Sequence, residues 1–329
     1  MSHSSPQTAP LSHWAGGAGG AAGAGGTGGA GRFAPSPSGD LHLGNMRTAL
    51  LAWLFARSTG RRFLVRIEDL DRVREGAREH QLADLAELGL HWDGDVVLQS
   101  ERLQRYEDAI VQLAAAGLTY ECFCTRREIQ KAVSAPHAPA GAYPGMCRNL
   151  TAQQLAHRRA GGRPPAIRLR AEVESFTIDD VLQGPYSGMV DDLVLQRGDG
   201  TPAYNLAVVV DDAAQDVDQV VRGDDLLSSA PRQAYLAGLL GLPAPVYAHV
   251  PLVLNVEGRR LAKRDGAVTL ADQKALGRSP SEVLGLLAAS LGLATPGEAA
   301  DLSVLLRRFD PERLPREPWI VSPPTPPER

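Results

Sequence analysis

The spacing of apolar residues changes period several times along the chain. Met46, Ala49, Leu50, Trp53 and Leu54 recur every three or four positions, which predicts a helix packed by one face. The run RFLVRI at 62–67 predicts a buried strand that ends at Glu68-Asp69-Leu70-Asp71. Helices are predicted over 73–88 and 106–116. From Ala166 the pattern turns to strands at 166–170, 176–181, 192–196 and 203–210, with a Gly198-Asp199-Gly200 turn before the last. A helix over 224–240, a strand over 246–255 and a helix over 281–291 follow, and the Pro-rich tail from Pro311 predicts irregular chain. Strands alternating with helices imply an α/β fold with a parallel, doubly wound Rossmann-type sheet.

Two stretches interrupt this pattern. Residues 15–31 are almost wholly Gly and Ala. They match Gly-x-Gly-x-x-Gly by density alone, with no strand before them, so a dinucleotide fingerprint is rejected and a disordered leader expected. Residues 122–163 are rich in Pro, Ala, Gly and Arg and read as an insertion. The expected organisation is therefore a leader (1–31), a first half of the catalytic domain (32–121), an insertion (122–165), a second half (166–275) and a short helical and Pro-rich tail (276–329).

A net charge of −4 excludes a bulk polycation that binds nucleic acid by composition; such a partner would need a local basic face. No apolar run is long enough to span a membrane, and the first residues have neither the basic start nor the apolar stretch of a signal peptide. A cytoplasmic monomer with no membrane partner is expected. The three Cys, an odd number, all fall between Cys122 and Cys147, and in a reducing compartment this clustering favours a metal over disulfides.

Candidate chemistry concentrates in two runs. Residues 32–45 read RFAPSPSGDLHLGN: a Pro/Ser/Gly turn, then His42 and Asn45 near the start of the first predicted helix. Free backbone N–H groups and the helix dipole favour anions there, and ATP phosphates are natural guests. Residues 260–264 read RLAKR, between Gly258 and Gly266, a basic loop predicted to move. Its Lys263 can neutralise phosphate charge during adenylate transfer.

Together the runs resemble the HIGH and KMSKS signatures of class I aminoacyl-tRNA synthetases, and RFAPSPSG narrows the likeness to the glutamyl group of that family. The loop departs from the family pattern, with Arg260 at the usual first Lys and Ala262 at the Ser before Lys263. The resemblance implies the HIGH/KMSKS catalytic fold with an acceptor-type insertion. It assigns His42, Asn45 and Lys263 to catalysis, with His42 and Lys263 on ATP, which enters with Mg²⁺.

An amino acid activated as its adenylate supplies its own carboxylate as nucleophile, so the protein needs only to position it and neutralise phosphate charge. A glutamate site then requires cations for carboxylates and an anion for the α-ammonium. Arg32, Ser36, Glu68, Tyr204 and Arg222 lie at expected strand ends, where open α/β sheets bind ligands, with Tyr204 expected in or at the start of the strand AYNLAVVV. By resemblance, the strings RFAPSPSG, RIEDLD, YNLAVVVDD and VRGDDL make these five the glutamate pocket. The two Arg then recognise carboxylate, and Glu68 and Tyr204 face the amino group. Asp69, Asp71, Asp224 and Asp225 are further acidic neighbours that could orient the Arg residues or assist Mg²⁺.

Three thiolates, Cys122, Cys124 and Cys147, need one more ligand for tetrahedral zinc. Generic chemistry offers His137. The resemblance prefers Tyr143, through the pattern Cys-x-Cys…Tyr-x-x-x-Cys of a structural zinc site, with His137 the alternative.

Only 66 residues follow Lys263, too few for the helical anticodon-binding region of full glutamyl-tRNA synthetases. The chain thus resembles the truncated branch of the family that glutamylates queuosine in tRNA(Asp). This implies tRNA-independent activation of L-glutamate by ATP. The glutamyl group then passes to the queuosine cyclopentenediol in the anticodon stem-loop. Alternatives are a shortened enzyme charging the 3′ end of tRNA(Glu), a small-molecule adenylyl or nucleotidyl transferase of the same superfamily, and a non-catalytic RNA-binding zinc protein. Lys263→Ala is expected to slow glutamyl-adenylate formation by about 10²–10³, as for removal of one preorganised charge. Glutamate KM should change little, both read by glutamate-dependent ATP–pyrophosphate exchange.

Overall fold

The computed structural model describes residues 28–133, 143–261, 265–266 and 268–322. Lys263 and His137 lie outside the described residues. In chain order the first elements are β1 (Ala30–Phe33), α1 (Leu43–Ser58), β2 (Arg62–Ile67), α2 (Ala77–Glu87), β3 (Val97–Leu98), α3 (Leu103–Ala115) and β4 (Thr119–Cys122). Then come α4 (Arg126–Val133), α5 (Ala152–Ala160), β5 (Ala166–Leu169), β6 (Ser175–Asp180), β7 (Gly184–Met189), β8 (Val194–Gln196), α6 (Tyr204–Ala214) and β9 (Val217–Gly223). The last are α7 (Ala230–Leu239), β10 (Val246–Val250), β11 (Val253–Asn255), α8 (Leu270–Ala275), α9 (Pro280–Ala289), α10 (Leu302–Arg308) and β12 (Trp319–Val321).

The main sheet has seven strands in the order β3-β2-β1-β9-β10-β6-β7. Its pairings are parallel except for β6 with β7. Phe63, Val65 and Ile67 of β2 are buried with α1, whose Met46, Ala49, Leu50 and Leu54 have no exposed surface. Burial extends around most of α1, because α9 and α10 cover the side away from the sheet. The expected helical face is therefore only part of the buried surface. Among the described residues, no helix is long and apolar enough to cross a membrane.

The segment expected as an insertion is closed at its base by β4 and β5, which pair antiparallel, and β8 joins β5 on the other side. Between β5 and β8 the chain leaves this small sheet, and the β6–β7 hairpin attaches to the main sheet through β10. β1 starts at Ala30, two residues inside the stretch expected to be disordered.

Several elements differ from expectation for definite reasons. Residues 203–210 form the start of helix α6, not a strand. Leu206 to Val210 are all buried, so no polar face marks the helical period, and a short apolar run then reads equally as a strand. The strand expected at 246–255 is split at Pro251, which has no N–H to donate, and its second part, β11, pairs with β12 in the tail expected to be irregular. β7, with two Gly and a Pro, lies at the sheet edge, where missing ladder bonds are tolerated. The helix expected at 224–240 begins as a 3-10 segment, Asp224–Ser229, and becomes α-helical only from Ala230, next to Pro231.

Candidate active site

After β1 the chain turns through Pro35 and Pro37 and is pinned from two sides. The Pro35 carbonyl accepts from Glu68 N at 3.0 Å, just past β2. Gln81 on α2 donates to the carbonyls of Ser36 (3.1 Å) and Gly39 (2.6 Å). The turn delivers His42 to the N-cap of α1, where its Nδ1 accepts from the backbone N–H of Gly44 (3.1 Å) and Asn45 (3.3 Å). Asn45 reciprocates, its Oδ1 accepting from His42 N at 3.2 Å. This is a capping box built on a histidine. A Cβ on residue 44 would sit 3.0 Å from the imidazole, so Gly44 lets the ring fold over the helix start.

The cap settles the tautomer: with Nδ1 accepting, the proton is on Nε2, a donor free for a ligand. Burial, and then the nearby charge of Arg260, lowers the His42 pKa to about 4. Asn45 has its oxygen committed to the cap.

Arg32, at the C-terminal end of β1, is 3% exposed and donates to both oxygens of Asp212, at 3.2 and 3.4 Å. Arg66 on β2, wholly buried, donates to the same carboxylate at 2.7 Å and to Glu68 at 3.4 Å. Next to Asp212, Asp211 accepts from Gln99 (2.9 Å), Arg102 (2.6 Å) and Tyr106 (2.7 Å). Burial alone would raise the Asp212 pKa, but Arg32 and Arg66 outweigh it and hold it below the usual carboxylate value. For Glu68, burial wins over Arg66 and Arg32, and its pKa is raised.

Asp212, Asp211 and Arg66 were not singled out in the sequence. The available signal was two carboxylates directly after the apolar run LAVVV, since buried charges must be paired. Three of the acidic neighbours, Asp69, Asp71 and Asp225, have partners of their own. Asp69 accepts from the Ser100 N–H and hydroxyl (2.8 and 2.6 Å), Asp71 pairs with Arg197, and Asp225 pairs with Arg260.

Tyr204 opens α6, not a strand, and is 39% exposed. On a helix, Tyr204 and Asp211–Asp212 stand two turns apart along one face, roughly 12 Å; on a strand they would be more than twice as far. Arg222 lies on β9, is buried, and donates from Nε to Nε2 of His249 at 3.0 Å.

Arg32, Ser36, His42, Asn45, Glu68, Tyr204 and Arg222 all line one pocket of about 440 Å³, together with Arg260. The pocket sits at the C-terminal ends of β1, β2 and β9, beside the start of α1. A second groove, of about 850 Å³, shares Ser36, Glu68, Arg72 and Tyr204 with it and runs to Cys124, lined on the way by Arg126, Arg163, Arg168 and Arg197.

At the far end of that groove the thiols of Cys122, Cys124 and Cys147 lie within 4.8 Å of one another. The Tyr143 hydroxyl is 3.3 Å from the Cys122 sulfur and 3.4 Å from that of Cys124, and the Cys124 and Cys147 sulfurs are 3.4 Å apart. Bonds of about 2.0–2.3 Å put tetrahedral ligand atoms roughly 3.3–3.8 Å apart, and these three contacts fall in that range, so the cluster could hold one metal ion. Tyr143 is held in place by the Arg168 guanidinium, 3.6 Å from its ring centre.

Residues 30–300 match the model of the catalytic domain of class I tRNA synthetases for glutamate and glutamine (E and Q). The chain belongs to this family. Similar members include the glutamyl-Q tRNA(Asp) synthetase of Nocardia farcinica, 70% identical over 89% of this chain and 93% of that protein. The Cutibacterium acnes protein of the same name is 55% identical over 90% and 82%. Among solved structures, glutamate-tRNA synthetase from Elizabethkingia anophelis superposes with a TM-score of 0.78 at 28% identity, over 90% of this chain and 68% of that one. As a member of the class I family the chain is an ATP-dependent ligase of the aminoacyl-tRNA synthetase type.

¹⁵N NMR should show His42 as the neutral Nε2–H tautomer until the pH falls to about 4. An unfolded histidine protonates near 6.5, so between these values the unfolded chain binds the extra proton. The His42 contribution to stability is therefore intact above about pH 6.5 and declines as the pH falls toward 4, which His42→Asn should flatten in melting curves.

Proposed function

We propose that this enzyme activates L-glutamate with ATP and transfers it to the queuosine cyclopentenediol at the wobble position of tRNA(Asp), acting as a cytoplasmic monomer on the anticodon stem-loop. The observation that carries the reading is 70% identity, over nearly the full length of both chains, to a protein named for that activity. The pocket supports it. Arg32 and Arg222 face a ligand as buried cations and Glu68 as a carboxylate, which suits an amino acid with two carboxylates and one ammonium. In the first step the glutamate α-carboxylate attacks the α-phosphorus of ATP and pyrophosphate leaves. The first-turn N–H groups of α1 are already taken up by His42 and Val268, so the Nε2–H of His42, the positive end of the α1 dipole and Lys263 take up phosphate charge, with Mg²⁺ accompanying the nucleotide. In the second step a diol hydroxyl attacks the acyl carbon and AMP leaves.

The acceptor would enter along the 850 Å³ groove that joins the pocket to the cysteine cluster. Residues 122–170 hold nine Lys or Arg and one Asp or Glu, in a chain whose net charge is −4. Of these, Arg126, Arg163 and Arg168 line the groove and give it a basic face suited to a phosphate backbone. Cys122, Cys124, Tyr143 and Cys147 would hold a structural zinc ion, which supplies folding energy to this face and leaves no open position for substrate.

Labelled glutamate with ATP should transfer to bulk tRNA from queuosine-making cells and not to tRNA from cells that cannot make it. Equal labelling of the two pools would mean 3′-end charging instead. Cys124→Ser should release about one equivalent of zinc and lower the melting temperature; a variant with unchanged zinc content would refute the four-ligand site.

A further inference from the structure

Arg222 is held from behind by a chain of hydrogen bonds that crosses three neighbouring strands. Arg222 on β9 and His249 on β10 are register partners, and Asp180, at the end of β6, pairs with β10 at Tyr247. The Nδ1 of His249 lies 2.6 Å from Asp180 Oδ2, and both side chains are fully buried. The Asp180 carboxylate also accepts from the backbone N–H of Leu182 and Gln183, each at 2.9 Å, and of His249 at 3.0 Å. An acceptor so engaged requires Nδ1 to be the donor, which leaves Nε2 of His249 a bare lone pair. Arg222 Nε donates to it at 3.0 Å, and Nη2 reaches the Leu226 carbonyl at 3.4 Å. The remaining nitrogen, Nη1, is buried without a partner, and Arg222 lines the 440 Å³ pocket.

This support differs in kind from that of Arg32. Arg32 shares its charge with a carboxylate in direct contact, Asp212. Arg222, among the described residues, makes no ion pair and is fixed by a neutral acceptor. Burial lowers the His249 pKa, Asp180 opposes this, and Arg222 lowers it further, with the net direction downward, so the ring stays uncharged. A neutral acceptor fixes the orientation of the guanidinium without cancelling its charge. That charge is then available to a ligand, in a geometry set before the ligand arrives.

We propose that His249, oriented by Asp180, is a positioning residue that aims the Arg222 guanidinium at a substrate carboxylate, so that preference for glutamate over glutamine depends on the Nε2 lone pair of His249. This rests on reading the pocket as a glutamate site.

Three variants and one control test it by glutamate-dependent ATP–pyrophosphate exchange, with melting curves to verify folding. In His249→Asn the side-chain N–H can still donate to Asp180, but nothing accepts from Arg222. Glutamate KM should rise about tenfold or more, the scale of one hydrogen bond to a charged group. ATP KM should stay within about twofold, and the glutamate-to-glutamine ratio of kcat/KM should fall in parallel with the loss of that bond. In His249→Gln the amide oxygen falls near the Nε2 position and should recover most of the loss. Asp180→Asn no longer compels Nδ1 to donate and should reproduce the glutamate defect, which carries the test if His249→Asn does not fold. Unchanged glutamate KM and discrimination in folded His249→Asn or Asp180→Asn would overturn the proposal, as would equal defects in the Asn and Gln variants or an equal rise in ATP KM. Arg222→Ala is the control. If it leaves glutamate KM unchanged, the glutamate reading of the pocket itself fails; if it raises KM while the other variants do not, only the role of His249 and Asp180 fails.

Discussion

One carboxylate holds the centre of this fold together. Asp212 receives Arg32 from the end of β1 and Arg66 from β2, and so ties helix α6 to two adjacent strands beneath the pocket. Three charged groups this deeply buried are stable only as a set. Removing one partner of such a pair strands the other and typically costs about 3–5 kcal/mol. The network also sets the character of the pocket. Arg66 and Arg32 hold Asp212 charged, while Glu68, beside them, is left with a raised pKa. Neighbouring Asp211 repeats the device, gathering Gln99, Arg102 and Tyr106 onto the same helix end.

The two sides of the pocket solve different physical problems. At the α1 side the helix start is closed by an imidazole that caps two backbone N–H groups and keeps its outer nitrogen as a donor. The cap forces neutrality, since a protonated ring could not accept those bonds. At the β9 side a second neutral imidazole, His249, accepts from a cation. Both histidines are kept uncharged by burial, and in both one ring nitrogen is committed to structure, which fixes what the other can do.

The distribution of charge matters more than its sum. A chain of net −4 concentrates basic residues around the cysteine cluster and along the groove leading to the pocket. A hairpin that leaves this basic region, β6–β7, joins the main sheet and brings Asp180 to His249. The small antiparallel sheet and the pocket are thus linked through one continuous stretch of chain.

The sequence by itself determined the local chemistry. The turn with two prolines ahead of His42, the helix after it, the strand 62–67 and the glycine turn at 198–200 follow from short-range rules, because each depends on residues a few positions apart. Residues 32, 36, 42, 45, 68, 204 and 222 were named through the resemblance of the short strings that hold them to those of a known family, since no rule of spacing joins positions so far apart. Tertiary structure decided the rest. Whether 203–210 is helix or strand depended on burial from all sides, which removes the polar face that a periodicity needs. The pairing of β11 with β12, the return of β6–β7 to the main sheet, and the partners Asp212 and His249 all join residues far apart in sequence. Buried polar groups find such partners only when strands come into register, so no window along the chain contains the information.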